Sequence, residues 1–392
     1  MSEDVHEVVL PADATGAVDR EVAEFVRRGQ ALHESGRFEQ AIEEFELALA
    51  LEAHNREALL GHNRAVRRHV PRWHWEMLHD RERAELYDRA IRQVVGPDRR
   101  VLDIGTGTGL LSMMAARAGA REVTACEGQP AVAAVAEQII RTAGHHQAIT
   151  VVPKRSTAMR VPADMPARAD VLITETIDCA LLGEGILATI AHAREHLLTE
   201  DALILPSAGR VFAQLVESES LFRKNHVGEL YGFDLSEFNR LSSMEYFDSR
   251  LRNHQWRPLS EPMEIFAFDF YRDGPDERRA EFVVSPTAEG SCHAIVFWFE
   301  LDLVPGIGLT NAPGNPDSHW KQAVQCLPEP LQVRPGGELL LDARHDGASI
   351  HFTAVSMEET AGVADAAGMA DAAGMAEPAG MAEPAGAGEA TP

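Results

Sequence analysis

One short segment limits what this chain can fold into more than any other. Val101-Leu102-Asp103-Ile104 runs straight into Gly105-Thr106-Gly107-Thr108-Gly109, and LLSMMAARAG follows. A brief apolar run ended by glycines and continued by a helical pattern predicts a strand, a sharp turn and a helix. Glycines at alternate positions let the backbone turn tightly and lie against a ligand, where any Cβ would collide. Dinucleotide sites use G-x-G-x-x-G to seat a pyrophosphate at a helix N-terminus. Here Leu110 stands where the third glycine of that pattern would fall, and Asp103 precedes the turn. A second strand, VTACE, closes on Glu127, whose carboxylate suits a ribose because it accepts from both hydroxyls. A simple tight turn and a nicotinamide site both stay open at this point.

The surrounding texture extends the reading. RRVLDIG, REVTACE, ITVVPK, ADVLITE and DALILPS alternate with helical stretches, which predicts a Rossmann-like α/β domain with a parallel sheet over 71–206. After about Pro206 the alternation stops. MEIFAFDF, EFVVSPT, CHAIVFWFELDLV, GELLLDA and ASIHFTAV read as antiparallel strands of a β-barrel-like domain over 207–356. The aromatic stretch over about 222–255 reads as a helical arm projecting from that domain. Before the α/β domain, residues 19–70 read as three amphipathic helices punctuated by Gly36 and Asn55. Their pattern resembles a tetratricopeptide-type hairpin, which must pack on something else to bury its face. Residues 1–18 read as a disordered lead. Residues 357–392, an Ala-Gly-Met-Ala repeat with acidic interruptions, read as a disordered tail that cannot build a core.

The chemistry concentrates in Thr174-Glu175-Thr176-Ile177-Asp178-Cys179-Ala180-Leu181-Leu182-Gly183-Glu184-Gly185. Two glutamates flank a loop at the C-terminal end of a parallel strand, where open α/β sheets place their sites. Converging carboxylates would clamp a planar guanidinium, which offers five donors in a fixed fork. A generic acidic loop is the alternative.

Taken together, the glycine turn resembles motif I of class I methyltransferases, and the loop resembles the double-glutamate loop of the protein arginine methyltransferase family. Its wording is most similar to the symmetric-dimethylating and monomethylating branches. Ser318-His319-Trp320 resembles the family's Thr-His-Trp loop, and the segment from Trp73 to Arg83 resembles the helix that folds over the cofactor. The resemblance spans roughly residues 70 to 355. It implies S-adenosylmethionine as cofactor, held by His74, Met77, Arg83, Asp103, Gly105, Gly107, Gly109 and Glu127. Arg83 would meet the cofactor's carboxylate, and His74 and Met77 its methionine part. It implies Glu175, Glu184, His319 and Asp80 as catalytic residues, with Asp80 paired to His319, and Glu175, Glu184 and Trp320 around the substrate. The sequence departs from the family after the third strand, where Lys154-Arg155-Ser156-Thr157 replaces an acidic residue and leaves Ser156 and Thr157 to meet the adenine. Ile177 stands where the asymmetric-dimethylating branch places a methionine.

Composition narrows the partners. A formal net charge of -25 disfavours a nucleic-acid partner held through phosphates and favours a cationic substrate. The 4 cysteines are scattered without a Cys-x-x-Cys pair, so neither a disulfide framework nor a metal site is expected. The N-terminus lacks an apolar signal region, and no run approaches the roughly 18 to 20 apolar residues of a membrane span. A cytoplasmic location is expected. The resemblance further implies a homodimer through the arm, around Tyr231-Gly232-Phe233-Asp234. The substrate it implies is arginine, most readily free L-arginine converted to Nω-methyl-L-arginine in specialised metabolism of the streptozotocin type. Peptidyl arginine is the alternative, and a non-catalytic helical-repeat scaffold is the alternative of another class.

Overall fold

The computed structural model describes residues 12–356. The expected acidic tail and the lead as far as residue 11 lie outside the described residues. Helix α1 spans Ala12–Glu34, so the helical extension starts at Ala12 rather than at Asp19. Arg20 Nε donates to the Gly16 carbonyl at 2.9 Å, one turn earlier in the helix. Helices α2 (Phe38–Leu51) and α3 (Arg56–His69) complete a three-helix unit. Asn55 caps α3 by accepting from the Ala58 amide at 2.9 Å. Phe45, Ala41, Ala48, Ala58 and Ala65 are fully buried between these helices, as the amphipathic pattern requires.

Helices α4 (Trp73–His79) and α5 (Arg81–Val94) lead into the α/β domain. Strands β1 (Arg100–Ile104), β2 (Glu122–Cys126), β3 (Ile149–Val152), β4 (Ala169–Thr174) and β5 (Leu198–Leu205) form one sheet in the order β3-β2-β1-β4-β5. All of its pairings are parallel. Helices α6 (Leu110–Arg117), α7 (Pro130–Thr142) and α8 (Ile186–His196) make the crossovers. The order reverses beside β1, where β2 and β4 flank it, and the carboxyl ends of these strands open the crevice that open α/β sheets use for ligands.

The second domain is antiparallel throughout. Its strands are β6 (Ala208–Glu217), the hairpin β7 (Glu229–Leu230) and β8 (Phe233–Asp234), β9 (Phe247–Ser249), β10 (Arg257–Pro258), β11 (Met263–Asp269) and β12 (Arg278–Val284). β13 (Gly290–Val304), β14 (Ile307–Thr310), β15 (Gln322–Val333), β16 (Leu339–His345) and β17 (Ile350–Ser356) follow. The main sheet runs β10-β6-β13-β15-β9, and β12-β16-β17 form a second one. Gln325 on β15 ties the two together, accepting from the Phe352 amide at 2.9 Å and donating to its carbonyl at 2.7 Å.

The arm is not the helix its pattern predicts. Over 222–255 the chain forms the β7–β8 hairpin and short 3-10 turns at Ser236–Leu241 and Leu251–Asn253. Tyr231 and Gly232 at the hairpin tip both take positive φ (53° and 80°), which ends any helical register. One core joins the two domains. Ile177, Leu181 and Leu182 of the loop after β4 pack in the same buried cluster as Phe297, Phe299 and Trp320 of the β-domain. Burying each such side chain stabilises by about 1.5–3 kcal/mol, so the loop is anchored from both sides. Among the described residues, no helix is long and apolar enough to cross a membrane.

Candidate active site

The glycine turn after β1 folds as its spacing demands. Gly105, Gly107 and Gly109 take positive φ of 75°, 54° and 80°. A Cβ on Gly109 would lie 2.8 Å from Ile140 Cδ1, whereas one on Gly107 would meet nothing within 4 Å. The turn therefore packs tightly behind and leaves open space in front at Gly107. Asp103 sits behind it, fully buried, with one carboxylate oxygen accepting from the hydroxyls of Thr106 and Ser112 at 2.6 Å each. Burial pushes this acid up to about 6, against those two hydrogen bonds. Asp103 thus holds the shape of the turn from beneath. Glu127 accepts from the Gly107 amide at 3.1 Å and the Gln129 amide at 2.9 Å. A carboxylate has about four acceptor positions, so it keeps capacity for ribose hydroxyls. Ser156 is buried and Thr157 exposed in the single 3-10 turn after β3.

The loop after β4 carries the acidic groups. Glu175 is buried and bound by Arg83 of α5, whose Nε donates to Glu175 Oε2 at 2.5 Å while Nη2 contacts the same oxygen. Burial, the largest influence, would lower the Arg83 pKa, but the charge and hydrogen bond of Glu175, with Tyr87 and Asp80, together outweigh it and hold the guanidinium charged. Arg83 Nη1 is buried and has no hydrogen-bond partner in the protein. A buried charged donor left unpaired is costly, so this atom marks where an external acceptor fits. Asp178 organises the rest of the loop. It accepts from the amides of Ala180 (3.1 Å) and Gly183 (2.9 Å) and from the Tyr246 hydroxyl (2.7 Å). A Cβ on Gly183 would fall 2.4 Å from Asp178 Oδ2, so the loop closes only with glycine there.

Asp80 works in three directions. It caps α5 by accepting from the Arg83 amide at 2.9 Å, and its other oxygen accepts from the His319 amide and meets His319 Nδ1, both at 2.9 Å. Burial opposes its ionisation, but the His319 side chain and the two amides outweigh that and hold it below the ordinary carboxylate range. A proton on Nδ1 facing Asp80 leaves Nε2 of His319 as the lone-pair nitrogen. Trp320 Nε1 donates to the Ile177 carbonyl at 3.3 Å, pinning the His319 loop to the acidic loop.

The acidic loop and the His319 loop meet in a cavity of about 440 Å³, whose wall does not include the glycine turn, Glu127, Arg83 or Asp80. Met77, Glu175, Glu184, His319 and Trp320 line it together. Trp73 and Glu76 line it too, whereas His74 lies outside its wall, stacked on Trp73 at 3.9 Å with Nδ1 at the Pro71 carbonyl. Glu184 reaches water in the open cavity, yet the protein around it desolvates its carboxylate, and Asp178, Glu175 and Glu127 add repulsion. Its pKa is pushed up to about 8.

Three participants escaped the sequence reading. Tyr246 comes from the arm and reaches Asp178 across 68 positions, with no local signal to announce it. Lys321 and Asp248 form an ion pair in the cavity wall. Asp248 faces Ala323 in the β9–β15 register, and Lys321 lies two residues before it, on the same face and within reach of a long side chain. Lys321 was visible as the residue after Trp320, but its partner was not.

The fold defines a class I methyltransferase in which an antiparallel second domain supplies one wall of the cavity. Residues 207–358 match the arginine methyltransferase oligomerization subdomain, and residues 85–206 match a model for ribosomal protein L11 methyltransferase. The chain is 42% identical over 276 residues to an arginine N(omega)-methyltransferase of Streptomyces achromogenes subsp. streptozoticus, covering 70% of this chain and 76% of that protein. It is 35% identical to protein arginine N-methyltransferase 7 of Drosophila ananassae, covering 71% of this chain but only 47% of the fly protein. Among solved structures, the Trypanosoma brucei PRMT1 enzyme-prozyme heterotetrameric complex with AdoHcy superposes with a TM-score of 0.62 at 27% identity. That match covers 69% of this chain and 86% of the other. The chain belongs to the arginine N-methyltransferase family.

Proposed function

We propose that this protein transfers a methyl group from S-adenosylmethionine to a terminal guanidino nitrogen of arginine. The observation that carries the reading is the pair Glu175 and Glu184 in one cavity wall, beside a glycine turn with open space at Gly107. The residues fit the cofactor. The orphaned Arg83 Nη1 suits its carboxylate, Glu127 its ribose, and Met77 its methionine chain. Bound S-adenosylmethionine supplies an electrophilic methyl group on a cationic sulfur.

An arginine guanidinium is charged at any physiological pH, so it meets that sulfur against repulsion. Glu184 and Glu175 offset the repulsion and fix the planar fork in one orientation, which is where positioning and electrostatics lower a displacement barrier. Charge drawn toward the carboxylates leaves the facing nitrogen's lone pair free to attack. That nitrogen then sheds a proton. Glu184 is matched to take it near neutral pH, and His319, oriented by Asp80, stands in the same wall.

The substrate we propose is free L-arginine, giving Nω-methyl-L-arginine, supported by the similarity to the Streptomyces enzyme over most of that protein's length. Peptidyl arginine is the second reading, favoured by the fly relatives. We also propose a cytoplasmic homodimer formed through the arm, because Tyr231 (93% exposed), Leu241 (77%) and Phe233 (70%) leave an apolar patch on it. The three-helix extension remains proposed as a tetratricopeptide-like unit. Incubation with labelled S-adenosylmethionine and either L-arginine or a Gly-Arg-rich peptide, read by mass spectrometry, tests the assignment. Monomethylated free arginine is expected, and label in neither acceptor would overturn the proposal.

A further inference from the structure

We propose that Lys321 and Asp248 bind the α-carboxylate and the α-ammonium of free arginine. The inference rests on the reading of this cavity as the site of arginine methylation and adds how the main-chain end of the substrate is recognised. Five carboxylates line the cavity wall, and Lys321 is the one Lys or Arg side chain among the described residues that line it. Three of the five carboxylates already have partners that hold them in place. Glu175 is bound by Arg83, Asp178 by two amides and the Tyr246 hydroxyl, and Glu76 by Arg250 Nη2 at 3.0 Å. Arg250 itself is committed, since it also donates to the carbonyls of Ser318 and His319. The groups left to meet a ligand are Glu184 and the Lys321–Asp248 pair.

That pair is of a kind a ligand readily re-partners. The Lys321 and Asp248 side chains are 35% and 54% exposed, and an exposed ion pair adds little net stability. A zwitterionic main chain presents the same two charges in reverse, so carboxylate to Lys321 and ammonium to Asp248 replaces one ion pair with two. Arginine within a peptide carries neither charge on its main chain. Its amides would leave the pair as it is and would gain nothing from it. The charges of the cavity wall are therefore those of a site for a free amino acid, with the guanidinium at Glu184 and the zwitterion at Lys321 and Asp248.

Two analogues separate the two contacts. Agmatine keeps the ammonium and lacks the carboxylate, and Nα-acetyl-L-arginine keeps the carboxylate and lacks the ammonium. In the full-length protein with S-adenosylmethionine, K321Q should lower kcat/KM about 10- to 100-fold for L-arginine and Nα-acetyl-L-arginine, mainly through KM, and not for agmatine. D248N should penalise L-arginine and agmatine and spare Nα-acetyl-L-arginine. A uniform loss across all three acceptors, or none, would mean a structural pair and overturn the inference. Wild-type turnover of a Gly-Arg-rich peptide without turnover of free arginine would overturn it while leaving arginine methylation standing. Inactivity toward every guanidine would overturn both.

Discussion

Arg83 and Glu175, 92 positions apart in the chain, form a buried ion pair in which Arg83 Nε donates to Glu175 Oε2 at 2.5 Å. One half of the guanidinium thus holds Glu175, and the other half, Nη1, has no partner in the protein and is the group we propose for the cofactor's carboxylate. On that proposal, a single side chain would couple the cofactor site to the acceptor site.

Removing Arg83 should therefore cost twice. In R83M, Glu175 becomes a buried carboxylate without a partner, a loss of about 3–5 kcal/mol by the measure of broken buried pairs. S-adenosylmethionine affinity should fall about 10- to 100-fold, as expected for losing a charge-assisted contact. R83K keeps the charge but not the fork, and should recover stability better than affinity. Thermal melts beside cofactor calorimetry check both, and unchanged cofactor affinity in R83M would remove Arg83 from the cofactor site.

Substrate binding should depend on pH through the proposed role of Glu184. Its pKa in the folded protein, raised to about 8, means the native state keeps a proton that the unfolded chain has released, so stability falls as pH rises between the unfolded value and about 8. A guanidinium favours the ionised carboxylate, so arginine binding below that pH must expel the proton. Affinity for L-arginine should rise with pH and level off above about 8. Calorimetry near neutral pH in buffers of different ionisation enthalpy should register about one proton released, and E184Q should release none. Heat independent of buffer in the wild type would contradict the assignment.

Asp80 accepts from two backbone amides and holds the His319 ring. An asparagine has one acceptor oxygen, so D80N leaves either the α5 cap amide or the His319 amide unmet, costing about 1–3 kcal/mol. It also takes the anionic partner from His319 Nδ1. A lower melting temperature together with reduced kcat is expected, and cofactor affinity should change less than kcat. A variant as active as wild type would exclude the Asp80–His319 pair from the chemistry.

The arm offers a separate test. F233E and L241E place charges on side chains that are 70% and 77% exposed, so neither should unfold the protein. If the arm joins two copies, light scattering after size exclusion should show a dimer for wild type and a monomer for the double variant. A wild-type monomer would contradict the proposed homodimer.

What the sequence disclosed follows the range of the forces involved. The turn at Gly105, Gly107 and Gly109 was legible because backbone sterics act within a few residues, and the same holds for the alternation that places Glu175 at a strand end. The Asp80–His319 pair was legible only through resemblance, since nothing local links residues 239 positions apart. Tyr246 and the Lys321–Asp248 pair were invisible because tertiary packing and strand register create them. The arm misled through composition. Its spacing of apolar residues mimics a helix, whereas Tyr231 and Gly232 turn the chain back on itself. His74 was expected in the cavity, but one step along α4 it is Trp73 that faces inward.

Single-turnover methyl transfer in E175Q and E184Q measures whether these two glutamates clamp the guanidinium as proposed. Both variants should bind S-adenosylmethionine and yet transfer methyl to L-arginine at rates reduced by about 10²–10³-fold, the scale seen when one electrostatic contact to a transition state is removed. Near-normal turnover in either variant, with cofactor binding intact, would show that the carboxylates do not hold the guanidinium.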